Sequence, residues 1–273
     1  MTSLRVAAVR FGPEIGAVAE NRRASVAAIG RAAAAGARLV VLPELASSGY
    51  CFHDATEARA AGEPVPGPTT RAWQQAADAL GVVVVGGLCE VDEDDRIRNT
   101  AVVVDADGVR GRYRKLHLWG RESSLFVAGD ERPPVVETAL GRIGLGICYD
   151  LWFPELARDL AARGADLLAV PSNFSVSPTQ AGLPHLDVIV ALATAHVNRV
   201  HLVLADRCRQ ERGSEWLGAA LVVDADGTLL AGPPPGGDEA MAIAEVDPER
   251  ARRKDWGGLN DLLGDRRGDV YPL

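Results

Sequence analysis

Short apolar runs alternate with longer amphipathic segments along most of the chain. Short runs bounded by glycine, proline or charged residues predict buried strands, and longer segments with apolar residues at helical spacing predict helices. The predicted strands are Leu4–Val9, Leu39–Leu42, Val82–Gly87, Ile143–Ile147, Asp166–Val170 and Val200–Ala205, and the predicted helices are Ala17–Ala35, Thr69–Gly81, Pro154–Arg163 and His185–Arg199. This alternation predicts an α/β layered fold.

Two similar segments interrupt the alternation. Residues Ala101–Gly108 and Ala220–Gly227 both end in Asp-Ala-Asp-Gly, and each is followed by another extended run. An Asp-Gly pair between β-branched runs indicates a hairpin, and neither copy has the further acidic ligands of a calcium loop. Related hairpins in the two halves predict two sheets packed face to face with helices outside. No linker is evident, so we expect one domain over residues 1–273, with a peripheral tail from about residue 250.

Cys148 follows the predicted strand Ile143–Ile147, and Pro154 lies where a helix would begin. Proline is favoured in the first helical turn, because its missing N–H would be unpaired there. We therefore expect Cys148 on a strand-to-helix elbow, near free N–H groups and the positive end of the helix dipole. Such a position makes a thiol easier to ionise, which predicts a nucleophile.

Lys115 is one of only two lysines among 29 Lys and Arg residues, the other being Lys254. The chain uses arginine for its other basic positions, so Lys115 is a candidate for a site that requires a compact ammonium group. The alternative is that two lysines survive by chance in an arginine-biased composition.

Two acidic residues are further candidates. Glu44 directly follows the predicted strand Leu39–Leu42, and burial there can raise the pKa of a carboxyl group into the range of a general base. Alternatively, it is a first-turn helix residue that interacts with the dipole. Glu122 lies shortly after Lys115, and by itself it could be a solvated loop residue.

Composition excludes several functional classes. The net charge of −8 argues against a nucleic-acid partner, and no apolar stretch is long enough for a membrane span. We expect no signal peptide, a cytoplasmic location and reduced thiols. The cysteines are too scattered for a zinc site or a redox pair, and we expect no metal. They are Cys51, Cys89, Cys148 and Cys208.

Three segments in this order resemble the nitrilase superfamily of carbon–nitrogen hydrolases. They are Leu-Pro-Glu-Leu around Glu44, Tyr-Arg-Lys-Leu-His-Leu-Trp-Gly-Arg-Glu around Lys115, and Gly-Ile-Cys-Tyr-Asp-Leu-Trp-Phe-Pro-Glu around Cys148. The resemblance implies a four-layer α-β-β-α sandwich and a homodimer or larger homo-oligomer. It also implies a Glu44–Lys115–Cys148 triad supported by Glu122, with no cofactor.

The resemblance further implies a role for each group. Glu44 takes the proton of Cys148, whose thiolate attacks an amide carbon to form a thioester. Lys115 and the backbone N–H of Tyr149 stabilise the oxyanion. Glu44 then protonates the departing ammonia and activates water.

The substrate implied is a small primary amide, either aliphatic or with a distal amino or guanidino group. Relatives that hydrolyse N-carbamoyl amino acids carry arginine just after Cys-x-Asp, where this chain has Leu151 and Trp152. The alternatives are an N-carbamoyl amine or amino-acid amidohydrolase, a nitrilase, an acyl transferase, and an inactive binding module on the same fold. The candidate substrate-binding residues are Tyr50, Trp119, Tyr149, Trp152, Asn173 and Phe174.

Overall fold

The protein is described by a computed structural model that covers residues 3–176 and 183–271. The strands are β1 (Leu4–Phe11), β2 (Leu39–Val41), β3 (Val83–Val91), β4 (Ile97–Asp105), β5 (Gly108–Arg114), β6 (Val135–Thr138), β7 (Gly141–Leu145), β8 (Leu167–Pro171), β9 (His201–Arg207), β10 (Leu221–Val223), β11 (Leu229–Ala231), β12 (Ala240–Val246), β13 (Asp255–Trp256) and β14 (Asn260–Asp261). The helices are α1 (Val18–Ala34), α2 (Ala55–Ala60), α3 (Pro68–Leu80), α4 (Pro154–Ala162), α5 (Leu186–Asn198) and α6 (Pro248–Arg252), with 3₁₀ turns at Gly120–Ser124 and Cys148–Trp152.

The strands β1 to β12 form one hydrogen-bonded sheet that folds into two halves. The first half has the order β5-β4-β3-β2-β1-β12, and the second has the order β6-β7-β8-β9-β10-β11. A short parallel pairing joins the ends of β1 and β9, where Arg10 is opposite Asp206 and Phe11 is opposite Arg207. Because only the strand ends pair, the two halves can pack face to face.

Alternation of side chains along β1 shows how the layers are built. Val6 and Ala8 pack in the core between the halves, whereas Ala7 and Val9 pack in a second core with α1 and α3. The helices α4 and α5 pack on the second half, where Leu160 of α4 lies against Gly144 of β7. The predicted four-layer α-β-β-α sandwich is therefore confirmed.

Both predicted hairpins are confirmed. Strand β4 pairs antiparallel with β5, and β10 pairs antiparallel with β11, each with one register shift. The extension of β3 to Val91 and the start of β4 at Ile97 were not predicted, because this region is rich in charge. In the fold, buried Glu90 accepts hydrogen bonds from Arg112 and Arg114, which lets these polar residues belong to strands.

The C-terminal region starts with residues bound to the sandwich. Arg252 forms an ion pair with Asp166, and Lys254 Nζ donates to the backbone oxygens of Asn198 and Arg199 at the end of α5. Cations are favoured at a helix C-terminus, so Lys254 stabilises the end of α5. Over the described residues, no helix is both long and apolar enough to cross a membrane.

Candidate active site

Glu44, Lys115 and Glu122 form a buried hydrogen-bonded group. Lys115 Nζ donates to Glu44 Oε1 at 2.6 Å and to Glu122 Oε1 at 2.8 Å. Glu44 follows β2, Lys115 follows β5, and Glu122 lies in the 3₁₀ turn Gly120–Ser124. All three side chains are almost completely inaccessible to solvent, so the solvated-loop alternative for Glu122 is wrong.

Cys148 lies on a strained backbone turn beside this group. Its φ of 48° lies in the left-handed region that residues with a β-carbon rarely adopt. The residue begins the 3₁₀ turn Cys148–Trp152, and α4 begins only at Pro154. The elbow is confirmed, but the residues that directly follow Cys148 form this short turn, and α4 begins six residues later.

The carboxylate of Asp150 accepts hydrogen bonds that hold the turn at Cys148 in place. One of its oxygens accepts from the backbone N–H of Ile147 at 2.9 Å and from the hydroxyl of Tyr113 at 2.8 Å. The ring and the backbone N–H of His117 lie within hydrogen-bonding distance of the other oxygen. Asp150 therefore connects the Cys148 turn to the segment that carries Lys115. This role was not predicted from the sequence, although the Cys-x-Asp spacing was a signal for it.

The thiol of Cys148 is not easier to ionise, and that expectation is wrong. Burial raises the pKa of Cys148 well above its usual value, and the carboxylate of Glu44 adds to the effect. Lys115 and the backbone N–H of Asn173 oppose the shift without cancelling it. The direction of this shift favours a neutral thiol at neutral pH, so a neighbouring base is needed to remove its proton.

Glu44 has the properties of such a base. Burial raises the pKa of Glu44 to about 7; the ammonium of Lys115 opposes this shift and Glu122 adds to it. Asn99 Nδ2 donates to Glu44 Oε1 at 2.6 Å, a contact that the sequence analysis did not identify. The buried Oε2 makes no hydrogen bond within residues 3–176 and 183–271, so one carboxylate oxygen has lone pairs free.

Lys115 is held in its charged form. Burial disfavours the ammonium, but Glu44 and Glu122 outweigh burial and raise the pKa of Lys115 above its usual value. Glu122 is fixed in turn, because the hydroxyl of Tyr50 and the backbone N–H of Trp119 donate to its carboxylate. Tyr50 therefore contacts the charged group as well as lining a cavity.

The segment after β8 forms another side of the site. Asn173 Nδ2 donates to the backbone oxygen of Glu44 at 3.0 Å. The buried carboxylate of Asp206 accepts from the backbone N–H of Phe174 at 2.9 Å and of Ala219 at 2.6 Å. These bonds fix the backbone of Asn173, whose N–H points at the Cys148 thiol. The role of Asp206 was also missed.

Two adjoining cavities open onto the site, and they share Trp119, Asn173 and Ser175. The larger, of about 370 Å³, is also lined by Tyr50, Glu122, Arg121 and Arg212. The smaller, of about 100 Å³, is also lined by Cys148, Tyr149, Trp152, Phe174 and Asp187. All six predicted substrate-binding residues thus line one cavity or both.

The other cysteines lie outside the cavity that contains Cys148. Cys89 and Cys208 are buried, and burial raises the pKa of Cys89 to about 12 and of Cys208 to about 11. Cys51 is half-buried and lines the larger cavity. Cys148 is therefore distinguished by its cavity and by its electrostatic interactions with Glu44 and Lys115.

The sequence profile of the carbon–nitrogen hydrolase family matches residues 5–254. A protein named nitrilase from Pyrococcus abyssi is 36% identical over 98% of this chain and 99% of its own length. A chloroplastic omega-amidase from Arabidopsis thaliana is 34% identical over 90% of this chain and 68% of its own length.

A solved structure has the same architecture. It is a variant of the amidase from Nesterenkonia sp. AN1, with the acetamide moiety of fluoroacetamide added covalently at the active-site cysteine. The TM-score is 0.79 and the sequence identity 26%, over 98% of this chain and 95% of that chain.

Proposed function

The chain belongs to the carbon–nitrogen hydrolase family and acts on amides, and from this we propose that it hydrolyses a small primary amide at Cys148. The products are the carboxylic acid and ammonia. The observation that carries the proposal is the buried Glu44–Lys115–Glu122 group beside a cysteine on a strained turn. This arrangement joins a base, a fixed cation and a nucleophile.

Acylation begins with proton transfer from the Cys148 thiol to Glu44. The free Oε2 of Glu44 is the acceptor, and a base with a pKa near 7 can both accept and return a proton at neutral pH. The thiolate attacks the amide carbon, and the carbonyl π-electrons move to oxygen. Lys115 and the backbone N–H of Tyr149, at the start of the 3₁₀ turn, stabilise the resulting oxyanion.

Collapse of the tetrahedral intermediate breaks the carbon–nitrogen bond. Protonated Glu44 gives its proton to the departing nitrogen, which leaves as ammonia, and a thioester remains on Cys148. Glu44 then takes a proton from water, whose oxygen attacks the thioester. When this second intermediate collapses, the proton returns to the sulfur and the acid is released.

Lys115 cannot easily be replaced by another cation in this mechanism. Its nitrogen bridges two carboxylates in a site that excludes water, so its position is fixed before substrate binds. Charges held in place in this way stabilise a developing oxyanion without reorganisation.

The aromatic lining suits a short aliphatic acyl chain, including one with a distal amino or guanidino group. A nitrile is a second candidate substrate, because a full-length relative is named nitrilase. Attack of the same thiolate on a nitrile carbon would give a thioimidate, which water can convert to the acid.

The test is ammonia release from matched amides, N-carbamoyl compounds and nitriles by wild type, Cys148→Ala and Cys208→Ala. We expect amides to give the highest kcat/KM. Cys148→Ala should lose about 10³-fold or more, whereas Cys208→Ala should retain activity. Near wild-type turnover by Cys148→Ala, or no amide hydrolysis by wild type, would contradict the proposal.

A further inference from the structure

The small cavity that contains Cys148 combines a cluster of aromatic rings with one carboxylate. We propose that Asp187, together with Trp119, Tyr149 and Trp152, binds the cationic end of the amide substrate and selects for it. This inference rests on the proposed attack of Cys148 on an amide. It assigns Asp187, which the sequence analysis did not consider, as a specificity-determining residue.

The three rings form a connected cluster. The ring centroids of Trp119 and Tyr149 are 4.8 Å apart, those of Tyr149 and Trp152 are 5.6 Å apart, and those of Trp119 and Trp152 are 5.9 Å apart. No two of the rings are parallel, so their faces point in different directions around the cavity. Such a cluster attracts ammonium and guanidinium groups, because the ring faces carry negative potential.

Asp187 adds a carboxylate to the part of the cavity lining that the three rings form. Its side chain is buried, and Oδ1 accepts a hydrogen bond from Trp152 Nε1 at 2.9 Å, which fixes the carboxylate against the rings. Oδ2 lies 3.1 Å from His185 Nδ1. Of these two partners only His185 can be a cation, and only when its imidazole is protonated. None of the described residues that line this cavity is a lysine or an arginine. The lining therefore favours a cation and disfavours a carboxylate.

The larger cavity contains two arginines among its described lining residues, and both donate hydrogen bonds to other groups of the protein. Arg212 donates with both terminal nitrogens to Glu57, and also to the backbone oxygen of Cys51. Arg121 donates to the backbone oxygen of His53. At Arg212 an anionic substrate end would compete with Glu57, whereas a cation in the smaller cavity would meet the carboxylate of Asp187 in the cavity that contains Cys148.

The decisive experiment compares three amides of similar length: 5-aminopentanamide, neutral hexanamide and anionic 4-carbamoylbutanoate. For wild type we expect the highest kcat/KM for 5-aminopentanamide. Asp187→Asn keeps an oxygen that can accept from Trp152 but removes the charge. It should lower kcat/KM for 5-aminopentanamide about tenfold to a hundredfold, mainly through KM, and leave hexanamide within about threefold.

Glu155→Gln is the matched control, because Glu155 is an exposed first-turn carboxylate on the neighbouring helix α4 and does not line the cavity. Glu155→Gln should leave kcat/KM unchanged for all three amides. Equal losses for the charged and neutral amides in Asp187→Asn would overturn the inference, as would a wild-type preference for the anionic amide.

A second measurement requires no turnover. Butylammonium should slow the alkylation of Cys148 by iodoacetamide in wild type but not in Asp187→Asn, whereas butanol should have little effect on either. Equal protection of both proteins would contradict the role of Asp187. If no amide is hydrolysed but butylammonium protects only wild type, the proposed reaction fails and the cation site stands.

Discussion

We expect the carboxylate of Glu44 to control how the rate of amide hydrolysis depends on pH. Because its pKa is raised to about 7, Glu44 loses its basic form as pH falls through neutrality. We expect kcat/KM to fall with decreasing pH below about 7 and to level off about one unit above it. Glu44→Gln keeps the shape but removes the base, so activity should fall by about 10²-fold or more and the rate of Cys148 alkylation at neutral pH should also fall.

These effects are measured from pH–rate profiles and from iodoacetamide kinetics. Glu57→Gln is a useful control, because Glu57 is a carboxylate whose pKa is lowered by its hydrogen bonds to Arg212 and His53. If kcat/KM of Glu44→Gln still falls with decreasing pH as it does in wild type, another group is the base.

We propose that the role of Lys115 depends on the position of its ammonium group as well as on its charge. Its nitrogen lies within 2.8 Å of two carboxylates and its side chain is inaccessible to solvent, so a larger guanidinium group would have to displace at least one of these neighbours. We expect Lys115→Arg to be nearly as damaging to kcat as Lys115→Ala. Full activity in the arginine variant, measured as ammonia release, would show that charge alone is sufficient.

The turn that carries Cys148 depends on contacts between elements. Tyr113 at the end of β5 is buried and donates to Asp150 in the 3₁₀ turn. Tyr113→Phe removes one hydrogen bond to a charged group and should lower the free energy of unfolding by about 1.5–3 kcal/mol. Urea denaturation measures this loss, and Tyr271→Phe, at an exposed position, should show none. If Tyr113→Phe leaves the free energy of unfolding unchanged, Asp150 does not stabilise the turn that carries Cys148.

The elements differ in how well the sequence predicts them. Apolar periodicity located β1, α3, α4 and the paired hairpins to within a few residues, because burial of one face determines their pattern. Short apolar runs also located the strand ends that carry Glu44 and Cys148. The charged ends of β3 and β4 were not predicted, because Glu90 becomes compatible with a buried strand only when Arg112 and Arg114 reach it from β5.

The residues of the candidate site also divide into those that the sequence predicted and those that it did not. Glu44, Lys115, Glu122 and Cys148 were found from short motifs. Asn99, Asp206 and Asp187 were missed, because their contacts join segments far apart in sequence. The ionisation of Cys148 was predicted with the wrong sign, since the sequence did not show how deeply the thiol is buried next to a carboxylate.

The outer face of α5 is a candidate interface between copies of this chain. Leu186, Ile189 and Val197 are exposed on this helix. Apolar residues repeated along one helix face are typical of an interface, so we still predict a homodimer or larger assembly. Light scattering at micromolar concentration should give at least twice the mass of one chain, and Val197→Glu should shift it towards one chain. A monomeric mass for wild type at all concentrations would contradict this prediction.

We propose that the whole fold serves to form and hydrolyse a thioester on Cys148. The most direct test is partitioning between water and hydroxylamine, starting from an amide and from the methyl ester of the same acid. If both substrates pass through one acyl-enzyme, the ratio of hydroxamate to acid is the same for both, and Cys148→Ala forms neither product. Different ratios for the amide and the ester, or no hydroxamate while acid forms, would contradict the thioester mechanism.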